Sequence, residues 1–411
     1  MKEIINCRIC GNPNLKTVMN LGLQSLTGVF PKKSDEQVKA GPVELIRCEA
    51  SDGCGLVQLK QSYDLDSMYG MNYGYRSGLN KSMVQHLQQK VANILSKKIL
   101  KNGDLVIDIG SNDATTLKSY PENMYELVGI DPTGVKFESY YPKHIKLISN
   151  FFDASIIDQN FPRKKAKIIT SFSMFYDLED PIAFAKDIEA CLDNEGLWIF
   201  EQSYLPSMLK TNSFDTICHE HLEFYALKQM IWITKAAGLK VLDVEFNDVN
   251  GGSFSITTAK INSTHKANTD LLNTILKDEN ELRLNSEKAY EDFKFQVQIQ
   301  KAALLKFLNN AKKDGKRVCA LGASTKGNVL LQYYKIDSSL VESIGEVNSD
   351  KFNCFTPGTK IPIISEDEML NSNPDFIIIL PWHFRSFFES LPKLKGRSLI
   401  YPLPNFQIVN N

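Results

Sequence analysis

The stretch FDTICHEHLEFY, residues 214–225, contains residue types that move protons or bind metals. His219 and His221 stand one residue apart, with Glu220 between them. Two histidines that bind one metal from a helix need a spacing of four, as in HExxH, so this spacing suits a metal only in an extended segment. The acids also suit the first turn of a helix, where they complement the helix dipole. Metal ligation, a helix start and proton transfer are the three alternatives.

Proton transfer is the favoured alternative for this stretch. A histidine titrates near neutral pH, and a neighbouring glutamate that orients it completes the usual equipment of a general base. The stretch also follows FEQSY, residues 200–204, at the carboxyl end of an apolar run. Open α/β sheets keep their sites at that edge. We therefore predict proton transfer here, with His219, Glu220 and His221 as the candidate residues.

Four cysteines near the start of the chain form two pairs, a C-x2-C and a C-x5-C. Two such pairs in a short, glycine-punctuated segment form the ligand set of a structural zinc site, because four thiolates leave no position for a catalytic water. Packed free thiols are the alternative. The predicted ligands are Cys7, Cys10, Cys48 and Cys54.

The segment VIDIGSNDATTL, residues 106–117, has the pattern of a strand, a sharp turn and a helix start. Asp108 closes the strand and Gly110 makes the turn, but Asn112 replaces the second glycine of the dinucleotide fingerprint. This argues against NAD and for a nucleoside without phosphates, such as S-adenosylmethionine (SAM). Asp131 ends the next strand, where an acid accepts from ribose hydroxyls, and Asp153 follows the third strand. The alternative is an ordinary strand–helix turn.

The elements around these residues alternate between short apolar runs and helical patterns from about residue 103, which indicates doubly wound α/β sheets. Residues 268–313 are charged, periodic and almost free of glycine and proline, as expected for one or two long helices. Lys and Arg (47) balance Asp and Glu (48), which argues against a nucleic-acid partner. No apolar run suits a membrane span, and the N-terminus has no secretory pattern, so we expect a cytoplasmic protein without a membrane partner.

Six segments in this order resemble the sugar C-methyltransferases that act on nucleotide-linked keto-deoxysugars. They are the four-cysteine module, IDIGSND, FDTICHEHLEFY, NGGS (250–253), GASTKGN (322–328) and TPGTKIPI (356–363). The resemblance implies an α/β protein with three parts: a small zinc-binding module, a class I SAM-methyltransferase Rossmann-like domain and a second, C-terminal Rossmann-like domain. We expect them at residues 1–65, 66–262 and 263–411, the last including the helical linker.

The same resemblance implies that His221, the second histidine of the family's Y-H-E-H motif, is the base, while Glu220 orients it or contacts the sugar. His219, the first histidine of that motif, is also a catalytic candidate. Tyr73 and Tyr75 match a Y-x-Y-x-S segment whose tyrosine reaches the sugar, although tyrosines in a Gly/Asn-rich loop also pack locally.

In the C-terminal part, Lys326 and Asn328 of GASTKGN and Trp382 of PWHF are candidates for binding the nucleotide-sugar, with a plain helix cap or turn as the alternative. Two positions near the sugar depart from the family pattern. Cys218 replaces a tyrosine and Asp177 replaces a histidine. A thiol is a weaker and shorter donor than a phenol, and an ionised carboxylate would repel an enolate.

The function predicted from the resemblance is SAM-dependent C-methylation of a nucleotide-linked keto-deoxysugar next to its C4 ketone, through an enolate that His221 generates. Zinc has a structural role. The alternatives are O-methylation of another activated carbohydrate, or a nucleotide-sugar epimerase or binding protein that does not methylate. No heptad seam stands out, so we expect a monomer or weak homodimer.

Overall fold

The structure is a computed structural model that describes residues 1–49, 53–63 and 76–411. Its N-terminal part is a small antiparallel sheet. A two-stranded hairpin forms most of it, a third strand follows the hairpin, and two short strands pair beside it. The strands are β1 (Lys2–Glu3), β2 (Leu15–Ser25), β3 (Ala40–Cys48), β4 (Val57–Leu59) and β5 (Gln61–Ser62).

The central part is a seven-stranded sheet with helices on both faces. Its inner strands are apolar throughout, as strands buried on both faces must be. The strands are β6 (Leu105–Ile109), β7 (Glu126–Ile130), β8 (Ile145–Ile148), β9 (Ala166–Phe172), β10 (Leu192–Ser203), β12 (Leu239–Asn247) and β13 (Ser253–Lys260), and β11 (Glu223–Phe224) lies outside this sheet. The helices are α1 (Lys81–Ser96), α2 (Gly134–Phe137), α3 (Ala154–Asn160), α4 (Pro181–Cys191), α5 (Leu205–Lys210) and α6 (Leu227–Ala236).

The strand order of this sheet is β12-β13-β10-β9-β6-β7-β8, and only β13 runs antiparallel to the others. From β6 the chain adds β7 and β8 on one side, and it then returns to place β9 on the other side of β6. In open α/β sheets, ligands bind at such a switch point, outside the carboxyl ends of the strands. The order therefore places the loops that follow β6, β7 and β9 around one crevice.

Two helices, α7 (Thr269–Glu281) and α8 (Glu287–Lys313), lead from the central to the C-terminal part. The sheet that follows has the order β16-β15-β14-β17-β18-β19, and all its strands are parallel except β19. Its strands are β14 (Val318–Leu321), β15 (Ile344–Glu346), β16 (Ile363–Ser365), β17 (Phe376–Ile379), β18 (Ser398–Tyr401) and β19 (Gln407–Asn410). Its helices are α9 (Thr325–Tyr334), α10 (Glu366–Asn371) and α11 (Arg385–Ser390). The α/β fold with two Rossmann-like units is thus as predicted.

The three parts are not independent in space. Strand β11, from the FDTICHEHLEFY stretch, pairs with β4 and extends the N-terminal sheet by one strand. One hydrophobic core also runs from the N-terminal sheet through Phe214 to the C-terminal sheet. The histidine stretch therefore lies where all three parts meet. Across the described ranges, no helix has both the length and the apolar character that a membrane crossing requires.

Candidate active site

The four N-terminal cysteines converge as a zinc site requires. Their sulfur atoms all lie within 4.8 Å of one another. The Cys7–Cys54 and Cys10–Cys48 sulfurs are 3.4 and 3.5 Å apart, close to the roughly 3.8 Å that two thiolates on a tetrahedral zinc would show. The side-chain amide of Asn12 donates to the Cys48 sulfur at 3.4 Å and the Leu56 N–H to the Cys54 sulfur at 3.4 Å. These residues fit a structural zinc ion whose coordination shell is closed by four thiolates.

A cavity of about 260 Å³ opens at the carboxyl ends of the central parallel strands. Four of the five residues predicted to bind the cofactor line it: Asp108, Gly110, Asn112 and Asp131. Gly110 has φ +71°, and a Cβ atom there would lie 3.1 Å from the Met174 side chain, so glycine suits both the turn and the close approach. The cavity is therefore the candidate cofactor site.

The Asp131 carboxylate organises the turn that forms this cavity. One oxygen accepts the backbone N–H of Asn112 at 2.8 Å, and the other accepts the Thr133 N–H and hydroxyl at 2.7 and 2.5 Å. Asn112 has a left-handed φ of 49°. A carboxylate has about four acceptor positions, so one remains for a ligand hydroxyl.

The neighbouring Asp108 carboxyl is almost completely buried, with 2% of its surface exposed. The Thr170 hydroxyl donates to it at 2.6 Å. Burial raises the pKa of Asp108 to about 7. A cationic group in the cavity, such as the ammonium of SAM, would favour the ionised form.

The structure places Asp153 differently from the other acids. It caps the N-terminus of α3, where its carboxylate accepts from the Ser155 hydroxyl at 2.5 Å and the Ile156 N–H at 3.2 Å. The hydrogen bond from Ser155 is the main cause that lowers its pKa. Asp153 does not line the cavity; the residues just before it, 150–152, do.

His221 is held in one tautomer by the backbone. Its Nδ1 lies 2.8 Å from the Thr216 carbonyl oxygen, so Nδ1 carries the proton and donates to that acceptor. This leaves Nε2 as an unprotonated nitrogen. Burial lowers the pKa of His221 to about 4, so the ring is neutral at physiological pH.

The loop after β9 joins His221 to the cofactor cavity. Ser173, Met174 and Asp177 of this loop line the cavity. Tyr176, between them, stands edge-on to the His221 ring with centroids 4.4 Å apart. The backbone carbonyl of Tyr176 also accepts the N–H of the residue that follows His221 at 2.8 Å. The candidate base therefore lies beside the cavity wall.

His219 points away from this centre. It is fully buried, its Nε2 lies 3.4 Å from the Gly41 carbonyl, and its ring packs edge-on against Tyr63 at 4.7 Å. Burial lowers its pKa. In an extended segment, alternate residues normally share a face, but the turn at residues 219–221 separates the two histidines. The structure thus gives His219 a place in the N-terminal core.

Glu220 faces the N-terminal part near the site. The Thr27 hydroxyl donates to one Glu220 oxygen at 3.4 Å, and a Cβ atom at Gly28 would lie 3.3 Å from the other. Cys218 is buried beside it with 1% exposure. Burial raises the pKa of the Cys218 thiol well above its usual range, and the negative charge of Glu220 raises it further. Cys218 is therefore a neutral thiol and not a nucleophile.

The C-terminal part contributes Lys326, which donates to the Asn250 carbonyl of the NGGS segment at 2.5 Å. Burial lowers the pKa of Lys326, and the Asp215 carboxylate opposes the shift. Trp382 donates its indole N–H to Asp215 at 2.8 Å, so this predicted substrate residue joins the two parts. Asp215 is fully buried, and its second oxygen has no hydrogen-bond partner among the described residues.

Asn328 bridges to the N-terminal part by donating its amide to the Thr27 carbonyl at 2.7 Å. It is 1% exposed, and its Oδ1 has no partner within residues 1–49, 53–63 and 76–411. Tyr73 and Tyr75 lie outside the described residues. The next described residues dock on the cofactor turn, because the Ser77 and Gly78 N–H groups donate to the side chains of Asn112 and Asp113 at 3.0 and 3.1 Å.

Several residues of the site were not predicted from the sequence. Thr170, near the end of β9, and Thr133, in the loop after β7, bond the two cavity acids near the carboxyl edge of the sheet, where the same edge rule applies to hydroxyls. Asp215 lies within FDTICHEHLEFY, yet its hydrogen-bond partner Trp382 is more than 160 positions away. Phe151 and Met174, which line the cavity, have no distinguishing local pattern.

Three family models match successive parts of the chain. They are described as "Putative zinc binding domain" (residues 7–69), "Methyltransferase domain" (79–244) and "C-methyltransferase C-terminal domain" (248–404). The cavity, the sheet order and the four-cysteine site define a SAM-dependent methyltransferase with a zinc-binding domain. Along its length the chain is thus similar to C-methyltransferases that combine a zinc-binding, a methyltransferase and a C-terminal domain.

A curated relative is similar over its full length. The C-methyltransferase NovU of Streptomyces niveus is 26% identical over 423 aligned residues, which cover 100% of this chain and 98% of NovU. Among solved structures, a chain in a complex that contains the Trm112 methyltransferase activator of Haloferax volcanii is 15% identical, covering 44% of this chain and 94% of that chain with a TM-score of 0.37. A SAM-dependent methyltransferase of Clostridium acetobutylicum is 12% identical, with coverages of 42% and 90% and a TM-score of 0.33.

Proposed function

We propose that this C-methyltransferase acts on a nucleotide-linked keto-deoxysugar and methylates the carbon next to the C4 ketone. The observation that carries the proposal is the state of His221. Its Nδ1 proton is committed to the Thr216 carbonyl, and its pKa of about 4 keeps Nε2 free at neutral pH. A neutral imidazole beside a cofactor cavity is equipped to remove a proton from carbon.

The proposed reaction begins when His221 Nε2 takes the proton from the carbon beside the ketone. The electrons of the C–H bond form a C=C bond with the neighbouring carbonyl carbon, the C=O π electrons move to the oxygen, and an enolate results. When bound in the cavity, SAM supplies a methyl group that this carbon attacks, and the bond electrons return to sulfur. The imidazolium then releases its proton to solvent.

The enolate oxygen needs a donor or a cation near it. Lys326 is the candidate for this role or for the diphosphate, because it lies in the first turn of α9 and its charge interacts with the Asp215 carboxylate. A phosphate at this helix terminus would also meet the backbone N–H groups of the first turn. Asn328 Oδ1, buried without a described partner, is a candidate acceptor for a substrate hydroxyl.

Glu220 is proposed to contact the sugar or to orient His221, since Thr27 and Gly28 hold it near the same centre. Asp177 lines the cofactor cavity, so it borders the methyl donor as well as the space beside Tyr176. The division into parts at residues 1–65, 66–262 and 263–411 is likewise a proposal, and β11 crosses it by pairing with the N-terminal sheet.

The test uses purified protein and a panel of nucleotide-linked 4-keto sugars in heavy water, with and without SAM, read by mass spectrometry. We expect a SAM-dependent mass gain of one methyl group, located on carbon by NMR and lost in His221→Asn. The matched control is His265→Asn, a half-buried histidine that bonds the Glu195 carbonyl far from the cavity. Deuterium uptake without methylation, or methylation on oxygen, would contradict the proposal and favour the epimerase or O-methyltransferase alternative.

A further inference from the structure

Arg8 lies between two zinc ligands, one residue after Cys7, yet its side chain points out of the zinc knuckle. Only 2% of that side chain is exposed. One terminal nitrogen donates to the Leu59 carbonyl at 2.6 Å, and the other donates to the Ser62 hydroxyl at 2.8 Å. The Gln58 side-chain oxygen accepts the Arg8 backbone N–H at 3.1 Å. The guanidinium is thereby fixed to strands β4 and β5 of the zinc-binding part.

The remaining nitrogen of Arg8 faces two carboxylates outside that part. Nε lies 3.6 Å from a Glu223 oxygen and 3.6 Å from a Glu179 oxygen. Glu223 is completely buried, and neither of its oxygens has a hydrogen-bond partner in the part of the chain that the structure describes. A buried carboxylate needs a compensating cation. Burial raises the pKa of Glu223 well above its usual range, and the charge of Arg8 opposes that rise.

These two carboxylates belong to the two segments that build the active site. Glu179 lines the cofactor cavity and ends the loop that contains Tyr176. Glu223 lies two residues after His221, in strand β11. Between them, the backbone of Leu222 joins all three segments, because its N–H donates to the Tyr176 carbonyl and its carbonyl accepts the Leu59 N–H, both at 2.8 Å.

We infer that Arg8 is a positioning residue that couples the zinc knuckle to the cofactor cavity, so that occupation of either site strengthens the other. The zinc ligands fix the backbone that carries Arg8, and Arg8 holds Glu179 against the cavity. A cofactor that orders the cavity wall must then favour the zinc-bound knuckle by the same factor, since coupling between two binding sites is reciprocal. The inference rests on the cofactor cavity and not on the sugar substrate, so the coupling and the proposed function can each fail without the other.

The test is an equilibrium competition for zinc between the zinc-loaded protein and a chromogenic chelator, with and without saturating S-adenosylhomocysteine. In the unmodified protein we expect the apparent zinc dissociation constant to fall by about 5-fold or more with the ligand present, the lower end of ordinary coupling. We define the coupling ratio as the apparent zinc dissociation constant without the ligand divided by that with the ligand. In Glu179→Gln this ratio should approach one. Glu179 is half exposed, with 48% of its side chain accessible, so this variant is expected to fold.

The matched control is Glu49→Gln in the same zinc-binding part. Glu49 pairs with Arg47 and Lys16, one residue after Cys48, and touches neither cavity segment. Its coupling ratio should equal that of the unmodified protein. Arg8→Gln should lose the coupling too, and adding Glu179→Gln to it should change the ratio no further. An unmodified protein with a ratio of one would overturn the inference, as would full coupling in Glu179→Gln.

Discussion

Because Asp131 accepts three hydrogen bonds, we expect Asp131→Asn to weaken cofactor binding, and Asp153→Asn provides the comparison. In Asp131→Asn, a single carbonyl oxygen can serve either the Asn112 N–H or the Thr133 pair, and the amide NH₂ then faces a donor. At least one hydrogen bond to a charged group is lost, and each such bond contributes about 1.5–3 kcal/mol. If that loss loosens the turn, a loss of about 2 kcal/mol in the free energy of cofactor binding corresponds to a roughly 30-fold larger dissociation constant.

Asp153→Asn is the matched control for this experiment. The same chemical change falls on a helix cap, where asparagine caps as well as aspartate, so we expect a stability change below about 0.5 kcal/mol. Calorimetric titration with S-adenosylhomocysteine gives the affinities, and urea unfolding gives the stabilities. A weaker affinity in both variants, or in Asp153→Asn alone, would refute the assignment of the turn and its acid.

The remaining predictions concern the base, the diphosphate and a buried cap. Because burial lowers the pKa of His221 to about 4 and the neutral ring is the base, kcat/KM should be flat near neutral pH and fall only as the pH approaches 4; an acidic limb near 6.5 would contradict this. Lys326→Gln should raise the KM of the active sugar substrate tenfold or more and leave S-adenosylhomocysteine affinity unchanged in calorimetry. Glu279 accepts the first two N–H groups of α6 at 2.6 and 3.2 Å, so Glu279→Gln should lower the free energy of unfolding in urea by about 1–2 kcal/mol without changing cofactor affinity.

The features that follow from local patterns were predictable from the sequence. Continuous apolar runs indicate strands buried on both faces, and their alternation with helices indicates a parallel sheet. The two cysteine pairs converge because a zinc knuckle is largely a local structure, so Cys7 and Cys10 could be matched with Cys48 and Cys54 from spacing alone. Asp131 could be placed because the carboxyl edge of a parallel sheet is defined by the strands themselves.

The features that depend on contacts between distant segments could not be predicted. Asp131 and Asp153 both follow strands, but only the structure shows that Asp153 turns into a helix cap. His219 and His221 have similar neighbours in the sequence, and a turn between them decides which lies beside the cavity wall. The Asp215–Trp382 hydrogen bond closes more than 160 residues of chain, and no local propensity specifies such a pair.

The protonation state of His221 depends on all three parts of the chain. Its low pKa comes first from burial, and the charge of Lys326 in the C-terminal part lowers it further. Tyr176 of the central part packs edge-on against the ring. The segment that carries it is held to the zinc-binding part through β11 and the Leu59 N–H. A base assembled in this way keeps its low pKa only while the three parts are packed together, because opening the site would admit water and return the pKa toward 6.5. Packing of the parts therefore determines both where the base stands and how strongly it binds a proton.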